Sequence, residues 1–367
     1  MSKILQLKNK IPVGILGATG MVGQRFVSLL ENHPWFEVVC VAASSRSAGK
    51  LYGEAVQNRW SLKGEIPVKI GELPVFEVER DIENISKKIV FAFSALSLDK
   101  EKIREIENNY AEIGIPIVSN NSAHRWTEDV PMIIPEINPH HVELIDIQKE
   151  NRGWEKGFIV VKPNCSIQSY VPVLEAVKEF GVEQVIVSTY QAISGAGKTF
   201  ETWPEMEDNV IPFIPGEEEK SEDEPMKIWG KIVNGKLELA TKPKISSTCI
   251  RVPVTDGHMV SVNVKFKTPP LKEEFINAVE NFQNPIGELN LPSSPEKFLK
   301  YFYEDDRPQT RLDRNLENGM GISVGRLRED TILDWKFVAL SHNTIRGAAG
   351  GAILVAELLT KKGYIRI

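Results

Sequence analysis

A cysteine with the surroundings of a nucleophile lies in the segment KPNCSIQSYVPVLEAVKEF, which runs from Lys162 to Phe180. The apolar residues after Cys165 recur every three or four positions, so the pattern predicts a helix with the cysteine in its first turn. Unpaired backbone N–H groups and the helix dipole stabilise a thiolate at such a place. We therefore predict that Cys165 is a nucleophile, whereas we expect Cys40 and Cys249 to be small buried side chains.

A proton-transfer partner and an anchor for an anionic group follow in the segment TCIRVPVTDGHMVSV. It contains Arg251 and His258, seven residues apart, and a turn at VTDG would bring both side chains to one cleft. The alternative for His258 is an ordinary core or loop histidine. The adjacent His140 and His141 follow a proline at a predicted helix start and lack further ligands at regular spacing, so we predict no metal site.

Three glycines of the segment GATGMVG, Gly17, Gly20 and Gly23, separate a short apolar strand pattern from a helical one. Glycine at this junction lets backbone N–H groups approach a pyrophosphate at the positive end of the helix. The spacing is GxxGxxG and differs from the strict GxGxxG fingerprint, so a plain tight turn is the alternative. The position at the first strand-helix junction favours a dinucleotide cofactor.

The end of the second predicted strand indicates which dinucleotide is bound. NAD is usually met there by an Asp or Glu that binds the ribose 2′-hydroxyl. This chain instead offers hydroxyls and a guanidinium at Ser44, Ser45, Arg46 and Ser47. These groups suit a 2′-phosphate, which a carboxylate would repel, and we predict NADP. The alternative is a surface loop with an incidental arginine.

Segments of alternating strand-like and helix-like composition must position these residues. Up to about Asn164 they predict an α/β fold, a Rossmann-type doubly wound parallel sheet whose late strand FIVVKPN ends beside the cysteine. From Cys165 the patterns predict a second, α+β domain with an antiparallel sheet, a loop-rich acidic stretch GEEEKSEDEP, and a final apolar helix from Asn343. The predicted domains are therefore 1–164 and 165–342.

Composition and charge narrow the class of protein. A chain of 367 residues exceeds what one core usually organises, so two domains are expected. A net charge of −6, without Lys/Arg blocks, argues against nucleic acid as a partner. No stretch has the apolar length of a membrane span, and three scattered cysteines are unlike a disulfide framework, so we predict a cytoplasmic protein.

Taken together, motifs along nearly the whole chain resemble those of the aspartate-semialdehyde dehydrogenase family in its archaeal and fungal form. They are GATGMVG, SSRSAGK, SNNSAHR, KPNCS, QAISGAGK, GEEEK, IRVPVTDGH and HNTIRGAAGG. The resemblance implies an NADP-dependent enzyme that reductively dephosphorylates L-4-aspartyl phosphate to L-aspartate 4-semialdehyde, in the biosynthesis of lysine, threonine and methionine. It also implies a homodimer or homotetramer, with 165–342 as the catalytic and dimerisation domain and 343–367 completing the cofactor domain.

The resemblance further implies roles for individual residues. Cys165 would form an acyl thioester, His258 would be the general acid and base, and Gln191 would orient the acyl group. The groups expected to bind substrate are Arg251 for the carboxylate, Glu217 for the amine (with Glu218 and Glu219 as alternatives), Lys220 and Arg125 for the phosphate, and Asn164 beside the nucleophile. The residues expected to contact the cofactor are Gly17, Thr19, Gly20, Met21, Val22, Ser44, Ser45, Arg46, Ser47, Ser94, Ser194, Gly195 and Asn343.

Two other functions remain open at this point. Malonyl-CoA reductase, a related archaeal enzyme, shares the thioester and hydride chemistry but takes a CoA substrate. The Asn-Cys pair of KPNCS, with Glu217 and Arg251 available for an amino-acid zwitterion, favours the aspartyl substrate. The more distant alternative is a non-enzymatic NADP-binding regulator with Cys165 as a redox sensor. That alternative leaves Arg251, His258 and Lys220 without a reason to converge.

Overall fold

A parallel sheet of six strands forms the first part of the computed structural model, which describes residues 9–366. Its strands are β1 (Ile11–Leu16), β2 (Phe36–Ala43), β3 (Val75–Glu77), β4 (Phe91–Ser94), β5 (Ile117–Ser119) and β6 (Ile159–Val161). They lie in the spatial order β3-β2-β1-β4-β5-β6, which is the order of dinucleotide-binding sheets. Strands β4, β5 and β6 are buried throughout, as a parallel sheet covered on both faces requires. The predicted doubly wound sheet is confirmed.

Helices pack on both faces of this sheet. They are α1 (Met21–Leu30), α2 (Tyr52–Val56), α3 (Val68–Gly71), α4 (Ile82–Ser86), α5 (Lys100–Glu112) and α6 (Leu144–Arg152). The neighbouring β1 residues Ile15 and Leu16 belong to different hydrophobic clusters, which also contain Phe26 of α1 and Ile103 of α5, respectively. The helices of the described residues are all too short or too polar to traverse a bilayer.

Between β6 and the C-terminal segment the chain forms a second six-stranded sheet, a separate pair of strands and four α-helices. The helices are α7 (Val171–Ala176), α8 (Glu217–Ile228), α9 (Lys272–Glu280) and α10 (Thr310–Asp313). The strands are β7 (Val182–Gln191), β8 (Lys231–Val233), β9 (Lys236–Glu238), β10 (Lys244–Arg251), β11 (His258–Phe266), β12 (Leu299–Phe302), β13 (Ile322–Glu329) and β14 (Trp335–Ser341). The sheet order is β10-β7-β11-β14-β13-β12, and β8 and β9 form a separate pair.

This second sheet is mixed rather than antiparallel as predicted. Strands β7 and β10 pair in parallel, as do β12 and β13, whereas the other neighbours are antiparallel. A parallel pair needs a crossover connection of a dozen or more residues. Helix α8 lies in the connection between β7 and β10 and packs against β10, so the crossover contributes to the domain core.

Three strands of the mixed sheet bring predicted site residues to one edge. Gln191 ends β7 and lies opposite Arg251, which ends the parallel strand β10. His258 begins β11, which runs antiparallel to β7. The carboxyl ends of two parallel strands and the amino end of an antiparallel neighbour meet at the same edge, so strand direction alone places these three residues near one another.

The segment after Cys165 is broken, contrary to the predicted continuous helix. A short 3₁₀ turn spans Ser166–Ser169 and is followed by α7 and a second 3₁₀ turn at Lys178–Phe180. Pro172 lacks a backbone N–H and cannot donate to the carbonyl of Gln168, which disfavours a continuous helix from Ser166. Cys165 therefore precedes a single short turn, whose dipole is weaker than that of the long helix expected.

The acidic stretch predicted to be a loop instead forms most of helix α8. Ser221, Glu224 and Ile228 are buried at spacings of three and four residues, which is the inward face of a helix. Glu217 to Glu219 lie in its first turn, where negative charge favours the helix dipole. The sequence shows no apolar helical periodicity here, because part of the buried face of α8 is polar.

The C-terminal segment also begins differently from the predicted helix. A wide turn at Ile345–Ala349, with Ala348 at φ −142 and ψ −108, precedes the last helix, α11 (Gly350–Lys361). Residue 367 of the predicted element lies outside the described residues. Helix α11 is buried on almost all sides, and its Ile353 joins the same hydrophobic cluster as Val13 of β1. The end of the chain thus packs against the first sheet.

A buried ion pair links distant parts of the chain. Arg346 donates from both terminal nitrogens to Glu136, at 2.5 and 2.6 Å, and its guanidinium lies 4.7 Å from the ring of Phe298. The Arg346 Nε donates to Gln168 at 3.3 Å, so the pair also contacts the turn after the cysteine. Breaking one half of such a pair leaves an uncompensated buried charge.

We expect Arg346→Met to lower the free energy of unfolding by about 3–5 kcal/mol, because the Glu136 carboxylate would stay buried without its partner. The measurement is the urea midpoint followed by circular dichroism. Arg326→Met is the control, because Arg326 pairs with a fully exposed Asp305 and should change the midpoint little. Equal midpoints for the two variants would contradict a stabilising role of the buried pair.

Candidate active site

The sulfur of Cys165 lies beside an imidazole. Its Sγ is 3.4 Å from Nε2 of His258, although the two residues are far apart in the sequence. The thiol is partly exposed and forms no disulfide, whereas the histidine is fully buried. The predicted pair of nucleophile and proton-transfer partner is therefore brought into contact distance by the strand edge and the turn at residue 165.

A backbone amide determines which nitrogen of His258 carries its proton. The N–H of Ala192 donates to Nδ1 at 3.1 Å, so Nδ1 is an acceptor and the neutral ring holds its hydrogen on Nε2. Burial, followed by the charge of Arg251, lowers the pKa of His258 to about 3. The imidazole is therefore a neutral donor towards Cys165. The role of His258 as general acid and base stays a prediction.

Glu217 is the centre of a polar cluster on the other side of the cysteine. Its carboxylate accepts from Lys220 Nζ at 2.6 Å, from Asn164 Nδ2 at 3.0 Å and from Gln191 Nε2 at 3.2 Å. Burial raises its pKa, but the charge and hydrogen bond of Lys220 outweigh that effect, so the pKa lies below its usual value. A buried, ionised carboxylate thus stands beside Cys165. Of the three glutamates considered, Glu217 is the buried one.

Arg251 supplies an unpaired positive charge to the same space. It is buried, and its Nη1 donates to the carbonyl of Ala192 at 2.8 Å, but no carboxylate of the described residues pairs with it. A side chain at Gly195 would place its Cβ 2.9 Å from that Nη1 and 3.1 Å from His258 Nε2. Glycine at position 195 therefore keeps open the space between the guanidinium and the imidazole.

A second carboxylate of α8 holds the turn that carries the cysteine. Glu224 accepts from the backbone N–H of Asn164 at 2.6 Å and from Arg125 Nη1 at 2.8 Å. Arg125 also donates from Nε to the carbonyl of Lys162 at 3.1 Å. The charge of Arg125 is therefore compensated by Glu224, and its predicted contact with the phosphate stays a prediction.

The environment of Cys165 raises the pKa of its thiol to about 11, first through burial and then through the negative charge of Glu217. Lys162, Arg125 and Arg251 act in the opposite direction. Lys162 is a buried amine three residues before the cysteine, and burial holds its pKa well below the ordinary value. In the unliganded protein the thiol form dominates at neutral pH. The predicted dipole-stabilised thiolate is thus replaced by a balance of nearby charges.

The glycine loop between β1 and α1 fits a dinucleotide pyrophosphate. Gly17 has φ +84, and a Cβ there would lie 2.4 Å from the carbonyl oxygen of Ala95. A Cβ at Gly23 would lie 2.2 Å from the oxygen of Gly17, so both positions exclude a side chain. Gly20 caps α1 without a side-chain hydrogen bond, which leaves the helix N–H groups, near Thr19, Met21 and Val22, available to an anion.

The serine-arginine loop follows β2, as predicted. Ser44, Ser45 and Arg46 are exposed, whereas Ser47 is buried. Two further residues of the cofactor prediction, Ser94 and Ser194, lie elsewhere in the fold. Ser94 ends β4, and its hydroxyl accepts from Asn121 at 3.0 Å.

Ser194 and Asn343 are joined to each other. The Asn343 amide donates to Ser194 Oγ at 2.8 Å and accepts from the backbone N–H of Gly257 at 2.8 Å. Asn343 thus ties the turn before His258 to the loop that holds Gly195. No group of three potential metal ligands occurs among residues 9–366.

Comparison with known proteins places this geometry in a family. The family model described as "Semialdehyde dehydrogenase, NAD binding domain" matches residues 12–145, and "Semialdehyde dehydrogenase, dimerisation domain" matches residues 173–346. The aspartate-semialdehyde dehydrogenase of Archaeoglobus fulgidus is 46% identical over 353 residues, which are 96% of this chain and 99% of that protein. The chain belongs to the aspartate-semialdehyde dehydrogenase family.

Further members of this family agree in sequence and in structure. The aspartate-semialdehyde dehydrogenase of Saccharomyces cerevisiae is 40% identical over 365 residues, covering 96% of this chain and 98% of the yeast protein. The crystal structure of aspartate semialdehyde dehydrogenase with NADP from Candida albicans superposes with a TM-score of 0.86 at 37% identity, covering 97% of this chain and 100% of that one. A Vibrio cholerae aspartate semialdehyde dehydrogenase II complexed with ASA gives a TM-score of 0.75 at 25% identity, with coverage of 97% and 100%.

Sequence reasoning missed several residues of this aspartate-semialdehyde dehydrogenase site. Lys162 and Glu224 stand within segments already singled out, KPNCS and the acidic stretch, but only the folded chain shows that both are buried beside Asn164. Gly347 was also missed: a Cβ there would lie 2.7 Å from Cβ of Cys165. Ala192 carries no side-chain signal at all, because it acts through its backbone N–H and carbonyl.

We expect Glu217→Gln to lower the pKa of the Cys165 thiol, because a negative charge that raises it is removed. The measurement is the rate of alkylation at Cys165 by iodoacetamide as a function of pH, followed by mass spectrometry of its peptide. Glu219→Gln is the matched control, because Glu219 is exposed on the same helix turn. A midpoint that stays unchanged or rises in Glu217→Gln would contradict this electrostatic account.

Proposed function

We propose that this protein catalyses the NADPH-dependent reductive dephosphorylation of L-4-aspartyl phosphate to L-aspartate 4-semialdehyde through a thioester on Cys165. The observation that carries the proposal is the convergence of a nucleophile, an imidazole donor and two opposite charges, Glu217 and Arg251, in one site. The relatives named aspartate-semialdehyde dehydrogenase, with coverage of nearly the whole chain, support the same reaction. This reaction belongs to the biosynthesis of lysine, threonine and methionine.

The two charges match the two ends of an amino-acid zwitterion. Arg251 would pair with the substrate carboxylate, because its guanidinium has no carboxylate partner among the described residues. Glu217 would accept from the substrate ammonium, which would take over part of the role of Lys220. Lys220, released from that contact, would meet the phosphate at its partly exposed position. Arg125 would contribute the donors that Glu224 leaves free.

Substrate binding would also favour ionisation of the nucleophile. The negative charge of Glu217 raises the pKa of Cys165, and an ammonium docked on that carboxylate offsets the charge. The sulfur would attack the acyl carbon of the acyl phosphate, and the bond from that carbon to the phosphate oxygen would break. Phosphate would leave with the electron pair of that bond and take up the proton that the thiol gives up. Gln191 and Asn164 would hold the acyl group beside the sulfur. A thioester remains.

Reduction of the thioester then requires a hydrogen-bond donor for the developing oxyanion rather than a general base. NADPH, held by the glycine loop and the serine-arginine loop, supplies a hydride when bound. The Nε2–H of His258 would donate to the oxyanion that forms on the former carbonyl. Collapse of the oxyanion breaks the C–S bond and releases aldehyde and thiolate without a proton transfer. His258 would therefore act as a hydrogen-bond donor while hydride is added, and it need not take up a proton when the C–S bond breaks.

The alternative substrate, malonyl-CoA, fits these charges less well. Malonyl-CoA has a carboxylate for Arg251 but no ammonium for the buried carboxylate of Glu217. The aspartyl substrate satisfies both charges, and the relatives that cover nearly the whole chain carry its name.

We also propose the arrangement in which the protein works. The dinucleotide domain would comprise residues up to Asn164 together with the C-terminal segment, and the catalytic domain would comprise 165–342. The match to a dimerisation-domain model supports a homo-oligomer, a dimer or a tetramer. Three free thiols suit a reducing compartment, for which we propose the cytoplasm.

Purified protein with aspartate semialdehyde, phosphate and NADP should produce the absorbance of NADPH. Cys165→Ser should lower that rate at least about a thousand-fold, because the hydroxyl is a poorer nucleophile and leaving group. Cys40→Ser is the control, since Cys40 is buried within the dinucleotide domain. Turnover of malonyl-CoA alone would overturn the substrate assignment, and no turnover of either would overturn the enzymatic function.

Arg251→Leu should lower kcat/KM for aspartate semialdehyde about 10- to 100-fold, because one charge-assisted hydrogen bond to the carboxylate is lost. Most of the loss should fall on KM, as expected for a group that binds substrate and transition state alike. Arg251→Lys should recover part of the lost kcat/KM. Wild-type kinetics in Arg251→Leu would refute the carboxylate assignment.

A further inference from the structure

We propose that Arg59 is a second cation for the 2′-phosphate of NADP and sets the preference for NADP over NAD. The inference rests on the cofactor of the proposed function and names a further specificity-determining residue for it. Arg59 lies in the short loop after α2, outside every motif that predicted the cofactor site. Its guanidinium nevertheless reaches the serine-arginine loop after β2.

The orientation of this guanidinium is held by two hydrogen bonds. Nη2 of Arg59 donates to Ser47 Oγ at 2.8 Å, and Nε donates to the carbonyl of Ala55 at 3.0 Å. Nη1 has no partner among the described residues. Because the oxygen of Ser47 accepts from Arg59, the hydroxyl hydrogen of Ser47 is free to point at an anion. Three N–H groups of Arg59 and the O–H of Ser47 are thus available to an anion beside this loop.

A buried glutamine ties the Arg59 loop to the pyrophosphate cradle. Gln24 donates from Nε2 to the carbonyl of Thr19 at 3.1 Å and to the carbonyl of Arg59 at 2.9 Å. Its Oε1 accepts from the backbone N–H of Ser61 at 2.8 Å. The hydroxyl of Tyr52 donates to the carbonyl of Ala18 at 3.0 Å, which fixes the start of α2 to the same loop. The distance between cradle and guanidinium is therefore set before any cofactor binds.

The charges around this loop are not neutralised within the described chain. Neither Arg46 nor Arg59 forms an ion pair with a carboxylate of residues 9–366, whereas Arg80 and Arg152 do. The nearest acid on α2, Glu54, accepts from the backbone N–H of Leu51 at 3.2 Å. Two guanidiniums without carboxylate partners, one on the serine-arginine loop and one bonded to it through Ser47, favour a dianion. A ribose 2′-hydroxyl, as in NAD, gains little from them.

Isothermal titration calorimetry of the purified protein tests the inference without turnover, with NADP, NAD, 2′,5′-ADP and 5′-AMP as probes. Arg59→Gln should weaken NADP and 2′,5′-ADP about 10- to 100-fold, while NAD and 5′-AMP change less than about twofold. Arg311→Gln is the matched control, an exposed arginine on α10, and should change none of the affinities. Arg59→Lys keeps the positive charge but loses the planar pair of terminal N–H donors. Its affinity for NADP should therefore lie between those of the wild type and Arg59→Gln.

Each outcome is decisive. Equal losses for NADP and NAD in Arg59→Gln would mean that the residue only supports the loop, and unchanged NADP affinity would mean that it does not meet the phosphate; either overturns the inference. The double variant that combines Arg46→Gln with Arg59→Gln should abolish the difference between NADP and NAD. A wild-type protein that binds neither dinucleotide would instead overturn the proposed function.

Discussion

Two carboxylates on one face of helix α8 hold the turn on which the whole site depends. Glu224 accepts from the backbone N–H of Asn164, and Glu217 accepts from the side chain of the same residue. The chain leaves the first sheet at this turn, and the next residue is Cys165. Because Asn164 is bound at both its backbone and its amide, the sulfur is directed towards His258 instead of into the apolar core. Every other feature of the site is arranged around this fixed point.

The same carboxylates control charge in the site. Glu224 neutralises Arg125, so this buried pair adds no net charge beside the sulfur. Glu217 stays ionised with the help of Lys220, and its negative charge raises the pKa of the Cys165 thiol. Arg251 adds a buried positive charge that has no carboxylate partner among the described residues.

His258 illustrates how a backbone group assigns a side chain its chemistry. The loop that follows β7 presents the N–H of Ala192 to Nδ1, and this single contact makes Nε2 a donor. A hydrogen-bond donor is the kind of group that stabilises an oxyanion. The same loop continues to Gly195, whose missing side chain leaves room for the substrate. One loop therefore sets the proton position and the shape of the site.

The sequence by itself determined the doubly wound sheet and the places of the glycine and serine-arginine loops, because these depend on local periodicity and on residue chemistry at element ends. It also singled out Cys165, Arg251 and His258, whose catalytic and binding roles stay predictions. It could not determine that the acidic stretch is a helix, since the buried face of α8 is polar and its partners come from distant segments. It also could not show the broken segment after Cys165, the mixed sheet or the tautomer of His258. Those features depend on which backbone groups meet across the fold, and only the tertiary structure decides that.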